Sequence, residues 1–291
     1  MSTPTSTITI GGDLTVGRIG FGAMRLTGDQ VWGDYSDHDG GIALLRAVVD
    51  AGVTFIDTAD VYGPHSNELL IRQALHPYPE NLVIATKGGF VRGGYDYSTL
   101  DAVGNPNYLR QSAHMSARRL GVDSIDLYYL HSGQATDVPF EEQIATLAAL
   151  KEEGVIRHIG LSNVTREQFD LAQTITPIAA ATALYNAGIR RGVDLLRATG
   201  TTGAVFSPWH PMSIADGGEP DRITADLEPI ARNHGVTVQQ VALAWHLHRA
   251  PHTLPIPGTT SLEHLRSNLA AAEIPLSRDE VATITALLPE R

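Results

Sequence analysis

The chain of 291 residues contains no cysteine, which excludes disulfide bonds, cysteine-ligated metal sites and thiol catalysis. It also lacks any apolar run near the ~18 residues that a membrane span requires. Positive charge is scarce, with 21 lysines and arginines against 32 acidic residues and a formal net charge of −11. We therefore expect no general affinity for nucleic acid or acidic membrane lipid, although one phosphorylated cofactor remains compatible with this charge.

The first seven residues have neither a basic segment nor a long apolar core. They predict a short disordered tail rather than a secretory signal. Together with the lack of cysteine, this favours a cytoplasmic location.

What the chain does contain is an alternation of strand-like and helix-like segments, preceded by a small hairpin that turns at Gly11 and Gly12. Such alternation predicts parallel strands with helices outside them. The favoured fold class is α/β, a single (β/α)8 TIM barrel with an N-terminal β-hairpin over residues 1–291; a doubly wound open sheet is the alternative. The predicted strands cover 19–22, 53–57, 82–87, 125–131, 156–162, 178–185, 204–207 and 253–256, and the predicted helices cover 41–51, 68–76, 107–120, 140–153, 166–174, 192–199, 225–234 and 238–249.

Ionisable residues end three successive strand-like runs: Asp57, Lys87 and His131. Tyr62 follows in the loop after the first of these runs. A carboxylate at the end of a buried strand must be paired or hydrogen-bonded to stay ionised. Because a barrel gathers such strand ends on one face, we predict that these four side chains form one catalytic group.

The chemistry of this group suits proton donation to an oxygen that gains negative charge. A tyrosine has a reference pKa of ~10, and a neighbouring cation such as Lys87 stabilises the phenolate and lowers that pKa. Asp57 would keep Lys87 ionised, and His131 would orient the substrate oxygen. The group has no carbon nucleophile and no metal cage, so the reducing equivalent would come from outside, as hydride from a nicotinamide.

Several sequence blocks carry a resemblance to a known family. They are Asp57-Thr58-Ala59-Asp60-Val61-Tyr62-Gly63 with Ser66-Asn67-Glu68, Thr86-Lys87, Asp126-Leu127-Tyr128-Tyr129-Leu130-His131, Gly160-Leu161-Ser162-Asn163 and Ile256-Pro257-Gly258-Thr259-Thr260. In this order they resemble the aldo-keto reductase family over roughly residues 8–288. The resemblance implies a (β/α)8 barrel with a hairpin over its bottom, and reduction of aldehydes and ketones with NADPH by the four residues above.

The same resemblance implies the ligand-binding residues. Ser162 and Asn163 match a pair that holds the nicotinamide carboxamide, and Phe206 matches an aromatic ring stacked on the nicotinamide. For the cofactor it implies Gly22, Ala23, Met24, Asp57, Ser162, Asn163, Thr182, Phe206, Ser207, Pro208, Trp209, Gly258, Thr259, Thr260, His264 and Asn268, and for the substrate we predict Met24, Trp32, Tyr62, Phe90 and His131.

Three positions depart from the family pattern. Thr182 stands where glutamine is usual and has a shorter reach. Gly258 replaces a lysine and His264 an arginine, which removes permanent positive charge from the place of a 2′-phosphate. NADPH is therefore the expected cofactor, with NADH as the alternative.

Two other functions remain open at this point. Lys87 could act as the nucleophile of a Schiff-base lyase or aldolase, or the chain could bind nicotinamide as a redox sensor with negligible turnover. We expect a small-molecule carbonyl substrate and a monomer or weak homo-oligomer. The substrate pocket would be built by the loops at 27–37, 90–105 and 212–222.

Overall fold

The computed structural model describes residues 6–214 and 220–290. Its strands follow in chain order as β1 (Thr7–Ile10), β2 (Leu14–Gly17), β3 (Phe21–Gly22), β4 (Phe55–Asp57), β5 (Val83–Gly88), β6 (Phe90–Arg92), β7 (Leu100–Ala102), β8 (Ile125–Leu130), β9 (Ile156–Ser162), β10 (Ile178–Leu184) and β11 (Val205–Trp209). Its helices are α1 (His38–Asp50), α2 (Ser66–Leu75), α3 (Pro106–Leu120), α4 (Phe140–Glu152), α5 (Arg166–Ile175), α6 (Val193–Thr202), α7 (Pro220–His234), α8 (Val238–Arg249), α9 (Leu262–Ala270) and α10 (Arg278–Ala286).

Seven of these strands form one parallel sheet in the order β11–β10–β9–β8–β5–β4–β3. The eighth predicted strand, at 253–256, is not a regular strand, but its backbone closes the sheet into a barrel. Leu254 N–H donates to Phe206 O at 2.8 Å on one side, and on the other Gly20 N–H donates to Pro255 O at 3.0 Å and Gly22 N–H to Pro257 O at 3.3 Å. Because proline has no N–H group, Pro255 and Pro257 cannot donate hydrogen bonds to the neighbouring strands. This segment therefore does not form a complete β-ladder.

The hydrophobic core has an inner and an outer layer. Along β8, Leu127 and Tyr129 point into the barrel and pack with Phe55 and Val205, whereas Tyr128 packs outward among the helices. Alternate side chains of a strand face opposite sides of a sheet, so strands buried on both faces read as continuous apolar runs.

The N-terminal hairpin of β1 and β2 was predicted, and it fills one end of the inner core. Ile10, Leu14 and Val16 belong to the same cluster as Phe55 and Leu254. Asp13, in the turn, accepts from His158 Nε2 at 2.6 Å and from Arg157 at 2.9 Å. The hairpin is therefore held to the barrel by apolar burial and by ion pairs.

Helix starts follow the capping signals in the sequence. A serine or threonine followed three residues later by glutamine or glutamate, as at Thr165, Thr237 and Ser277, predicts a capping box, and the structure has both reciprocal hydrogen bonds at each. The antiparallel pair of β6 and β7 was not predicted: it lies inside the loop at 90–105. Residues 1–5 of the expected tail, and 215–219 of the loop at 212–222, lie outside the described residues.

Within residues 6–214 and 220–290, none of the helices combines the length and the apolar character needed for a membrane crossing.

The packing of the hairpin can be tested at Ile10, which has no exposed surface. Ile10→Ala should lower the free energy of unfolding by about 2–5 kcal/mol, because it removes buried methyl groups and leaves a cavity. Thr9→Ala, on the exposed face of the same strand, is the matched control and should change it by less than about 0.5 kcal/mol. Urea unfolding measures both; equal effects would show that the hairpin does not contribute to the inner core.

Candidate active site

The four predicted catalytic side chains meet at the carboxyl ends of β4, β5 and β8. Asp57 is the last residue of β4 and Lys87 lies near the end of β5. Lys87 Nζ donates to the Asp57 carboxylate and to the carbonyl oxygen of Thr58 at 2.8 Å. Only 4% of the Lys87 side chain and 6% of the Asp57 side chain are exposed, so the two charges are paired away from water.

Tyr62 and His131 complete the group. Lys87 Nζ lies 5.2 Å from the centroid of the Tyr62 ring. The Tyr62 and His131 rings meet edge to face with centroids 6.0 Å apart, and Phe90 contacts the other side of His131 at 4.7 Å. The structure therefore brings together a phenol, an ammonium group, a carboxylate and an imidazole that are far apart in sequence.

Burial and pairing act in opposite directions on the two charges. Burial raises the pKa of Asp57, and the charge of Lys87 only partly offsets this. Burial would lower the pKa of Lys87, but the Asp57 carboxylate outweighs it, so the pKa of Lys87 is raised. Lys87 is thus held in its cationic form, as expected.

The expected lowering of the Tyr62 pKa is wrong for this structure. Burial raises the pKa of Tyr62 to about 12, although the nearby Lys87 charge acts to lower it. Desolvation of the phenolate outweighs the attraction of one already paired ammonium group. Tyr62 therefore stays protonated at neutral pH, which is the state a proton donor needs.

The imidazole of His131 is neutral at the same pH. Burial lowers its pKa well below the usual value, and the charge of Lys87 lowers it further. Its Nδ1 atom is buried and has no hydrogen-bond partner among the described residues. A neutral histidine can hydrogen-bond a substrate oxygen without adding charge to the site.

These four residues border a cleft of about 1090 Å³. Among the described residues that line the cleft, Asp57 is the single acid, and there are three permanent cations: Arg25, Lys87 and Arg191. A positively charged cleft in a chain of net charge −11 favours an anionic ligand. From the predicted ligand-binding residues, those that line the cleft are Gly22, Met24, Asp57, Tyr62, Phe90, His131, Ser162, Asn163, Thr182, Trp209 and Gly258.

The polar wall of the cleft is formed by the ends of β9 and β10. Asn163 has a left-handed backbone with φ of 53°, a conformation that asparagine adopts more readily than most residues. Its Nδ2 donates to Ser162 Oγ at 3.1 Å. Thr182 Oγ1 donates its proton to Ser207 O at 2.5 Å, so Thr182 can only accept a hydrogen bond from a ligand.

The predicted stacking role of Phe206 does not agree with its position. Phe206 is fully buried in the outer core, where it meets Tyr185 edge to face with ring centroids 5.9 Å apart. The alternation of β11 turns its side chain away from the cleft. Trp209, three residues later, lines the cleft instead, and its buried indole Nε1 has no partner among the described residues.

The two residues that follow Phe206 on β11 contact other strands of the barrel. Ser207 Oγ donates to Leu254 O at 2.7 Å, which supports the barrel closure. Pro208 is buried and pairs with Ala183 of β10. Neither lines the cleft.

Two glycines meet at the other end of the cleft. A Cβ atom at Gly22 would lie 2.8 Å from the carbonyl oxygen of Ile256, and one at Gly258 would lie 2.8 Å from the carbonyl oxygen of Gly22. Only glycine permits this approach of two backbones. Ala23, next to Gly22, is buried and donates its N–H to Asp57 O at 2.9 Å.

Beyond Gly258 the chain enters α9, where the predicted adenosine residues cluster. Thr259 is buried and its Oγ1 accepts from Ser261 N–H at 3.0 Å. Thr260 and His264 are exposed around the first turn of the helix, whereas Asn268 is buried. The Nδ2 group of Asn268, in the last turn of α9, is buried and has no partner among the described residues, so it is free to donate to a ligand. The N-terminus of the same helix favours a phosphate group.

Trp32, a predicted substrate residue, does not line the cleft. Its ring lies against the guanidinium of Arg92, 5.2 Å from the ring centroid. The preceding residues Gln30 and Val31 form that part of the wall. The sequence showed an aromatic residue in the correct loop but not the direction of its side chain.

Other lining residues were missed altogether, among them Tyr97, Arg191, His210 and Gln239. Tyr97 lies between β6 and β7, and the two glycines after Arg92 were an unused signal for that hairpin. For the others we find no sequence signal: Arg191 and His210 lie in connections that follow strands, and Gln239 lies in the first turn of α8.

Comparisons with known proteins assign the chain to one family. Residues 18–289 match the model of the aldo/keto reductase family. The chain belongs to the aldo/keto reductase family. It is 38% identical to pyridoxine 4-dehydrogenase of Escherichia coli over the full length of both chains, and 41% identical to an uncharacterized oxidoreductase of Schizosaccharomyces pombe over 94% of this chain and 87% of that protein.

A solved structure gives the same result for the fold. The aldo/keto reductase of Klebsiella pneumoniae in complex with NADP and acetate superposes with a TM-score of 0.80 at 28% identity, covering 98% of this chain and 97% of that one. The barrel fold with its N-terminal hairpin is thus confirmed, and the chain is a member of an oxidoreductase family.

One buried acid of this aldo/keto reductase was not singled out in the sequence. Asp60 lies behind the catalytic group, with its N–H donating to Lys87 O at 3.0 Å and its Oδ2 accepting from Ser112 Oγ at 2.6 Å. Its Oδ1 has no partner among the described residues. Burial raises the pKa of Asp60 to about 7, and the charge of Glu68 adds to this.

Asp60 should therefore make the stability of this aldo/keto reductase depend on pH. The pKa of Asp60 is higher in the folded protein than in the unfolded chain. Its contribution to the free energy of unfolding is therefore complete below about pH 4. This contribution, on the order of 4 kcal/mol, is lost as the pH rises through 7. Asp60→Asn, which stays uncharged, should remove this loss and be more stable than the parent at pH 8. Asp170→Asn, at an exposed acid, is the control. Urea unfolding from pH 5 to 8 is the measurement; an unchanged slope in Asp60→Asn would show that Asp60 is ionised throughout.

Proposed function

We propose that this protein reduces aldehydes or ketones to alcohols with NADPH. One observation carries the proposal: a buried Lys87–Asp57 ion pair lies under the ring of Tyr62 at the wall of a cleft that His131 also borders. The arrangement places a protonated phenol, a fixed cation and a neutral imidazole together in the wall of this cleft. It therefore suits protonation of an oxygen on which negative charge develops.

Each residue has a separate part in that chemistry. Tyr62 is the general acid that donates its proton to the carbonyl oxygen. Lys87 stabilises the phenolate that remains, and Asp57 keeps Lys87 charged inside the protein. His131, neutral at pH 7, hydrogen-bonds the carbonyl oxygen and holds it near the phenol.

The residues present fit a nicotinamide cofactor, as shown by the unused buried donors of Trp209 and Asn268 and the close approach of Gly22 and Gly258. Bound NADPH supplies the hydride to the carbonyl carbon. Ser162, Asn163 and Thr182 would hold the carboxamide, with Thr182 as acceptor only. The adenosine phosphate end would lie at the start of α9. Support for this cofactor comes from the relative in Klebsiella pneumoniae, solved with NADP.

The walls of the cleft favour a flat aromatic substrate. Phe90 and Tyr97 line it from the β6–β7 hairpin, and Trp209 lines it from the end of β11; ring faces pack well against other rings. The relative in Escherichia coli is a pyridoxine 4-dehydrogenase. We therefore place aromatic aldehydes, with pyridoxal first among them, ahead of aliphatic ones in the range of substrates.

The two alternatives account for less of the geometry. A Schiff-base lyase needs an uncharged amine, whereas Lys87 is locked as a cation by Asp57 and by the carbonyl oxygen of Thr58. A sensor without turnover would not require the complete set of four residues beside the cleft.

The role of Tyr62 can be tested with Tyr62→Phe. This variant should fold and bind NADPH normally, but kcat for aromatic aldehydes should fall by about 10²–10⁴-fold, because the proton donor is gone. Tyr95→Phe, at an exposed tyrosine of the β6–β7 turn, is the matched control and should keep full activity. The measurement is NADPH oxidation across a panel of aldehydes. Full turnover by Tyr62→Phe would contradict the proposed acid.

The cofactor preference can be tested at His264, where a permanent charge is lacking. His264→Arg should tighten NADPH binding by about tenfold, since arginine can bind a phosphate with two hydrogen bonds. NADH has no 2′-phosphate and is the internal control; its dissociation constant should not change. Titration of nicotinamide fluorescence measures both. An equal effect on the two cofactors would place the 2′-phosphate elsewhere.

A further inference from the structure

Arg92, on β6, contacts both loops that border the substrate end of the cleft. Its guanidinium lies between two aromatic rings, 5.2 Å from the centroid of Trp32 and 5.2 Å from that of Tyr97. Its NH1 donates to the carbonyl oxygens of Gln30 at 3.1 Å and Val31 at 3.4 Å, and its NH2 to that of Tyr95 at 2.6 Å. One side chain thus joins the loop at 27–37 to the β6–β7 turn.

The loop that Arg92 holds is strained. Gln30 and Val31 have positive φ values of 57° and 56°, which is unusual for any residue other than glycine and most of all for a β-branched one. Such a conformation is unfavourable for a residue with a side chain and persists only where its surroundings impose it. Two of the three carbonyl groups bonded to Arg92 belong to these strained residues.

The same turn is bound to the loop of the catalytic tyrosine. Gly63 N–H donates to Val31 O at 3.0 Å, and Gly33 N–H donates to Gly63 O at 3.2 Å. Gly63 directly follows Tyr62. The strained turn is therefore fixed on one side by the Tyr62 loop and on the other by Arg92.

The two segments that Arg92 joins both contribute to the cleft wall. Gln30 and Val31 line it from one loop, and Phe90 and Tyr97 from the β6–β7 hairpin. Phe90 packs on His131, which places this wall beside the proposed carbonyl position. The polar residues predicted for the cofactor, at the ends of β9 and β10, lie on the other part of the wall.

From these contacts we propose that Arg92 is a positioning residue that sets the width of the substrate end of the cleft and so determines which carbonyl compounds fit. The proposal rests on the proposed reductase function. Arginine suits the task because its planar guanidinium can stack on two rings and still donate to several carbonyl groups. Lysine carries the same charge but cannot make this set of contacts.

A kinetic comparison of Arg92→Ala and Arg92→Lys with the parent tests the proposal. With NADPH and 4-nitrobenzaldehyde, which is large enough to touch both walls, KM should rise about tenfold in both variants while kcat changes less than about twofold. With propanal, too small to span the cleft, KM should stay unchanged, as should the dissociation constant for NADPH. Arg110→Ala, at an arginine paired with Glu153 on the surface, is the matched control.

The kinetic outcomes are decisive in both directions. A rise in KM for 4-nitrobenzaldehyde alone, in both variants, supports the proposal. Full activity of Arg92→Lys with this aldehyde would overturn it, because the positive charge alone would then be sufficient. Equal changes for both aldehydes, or none, would overturn it.

Hydrogen–deuterium exchange provides a measurement that does not depend on activity. Arg92→Ala should raise exchange at the amides of residues 30–33 and 63 by about tenfold, because local opening becomes easier, while β8 and β9 keep their protection. Unchanged exchange in that turn would overturn the proposal. If the parent protein reduces no carbonyl compound, the proposed function fails, and this measurement still decides whether Arg92 holds the two loops together.

Discussion

The buried ion pair between Lys87 and Asp57 imposes the strictest requirement on this structure, because neither charge is stable inside the barrel without the other. Removing one partner of such a pair typically costs about 3–5 kcal/mol. The pairing of β4 with β5 sets the distance between the two residues, and the carbonyl group of Thr58 adds a third contact. The strand register and the closure of the barrel therefore determine where the two charges lie, and this determines the protonation state of the site.

Periodicity and strand-end chemistry were sufficient to predict the barrel, the hairpin, the capping boxes and the convergence of the four polar residues. They could not predict side-chain direction, which depends on a register shift of a single residue. Phe206 lies in the outer core for this reason, although a stacking role in the cleft was expected, and Trp32 packs on Arg92 instead of lining the cleft. The pKa of Tyr62 could not be predicted from the sequence either. The extent of burial decides whether desolvation, which raises this pKa, or the nearby cation, which lowers it, has the larger effect.

Charge is distributed unevenly over the molecule. The chain as a whole is acidic, yet the described lining of the cleft has three cations and one acid. Low-dielectric walls concentrate such a local field, so an anionic ligand would be attracted to the cleft and repelled by much of the remaining surface. Arg25 and Arg191 supply positive charge to the cleft although Gly258 and His264 do not.

The barrel closes through a segment with two prolines, and this has a mechanical consequence. Pro255 and Pro257 have no N–H group, so neither can donate a backbone hydrogen bond across this seam. Gly22 and Gly258 lie on opposite sides of the same seam. A dinucleotide that contacts both glycines would link the two sides of this seam, so binding of the coenzyme would also stabilise the closed barrel.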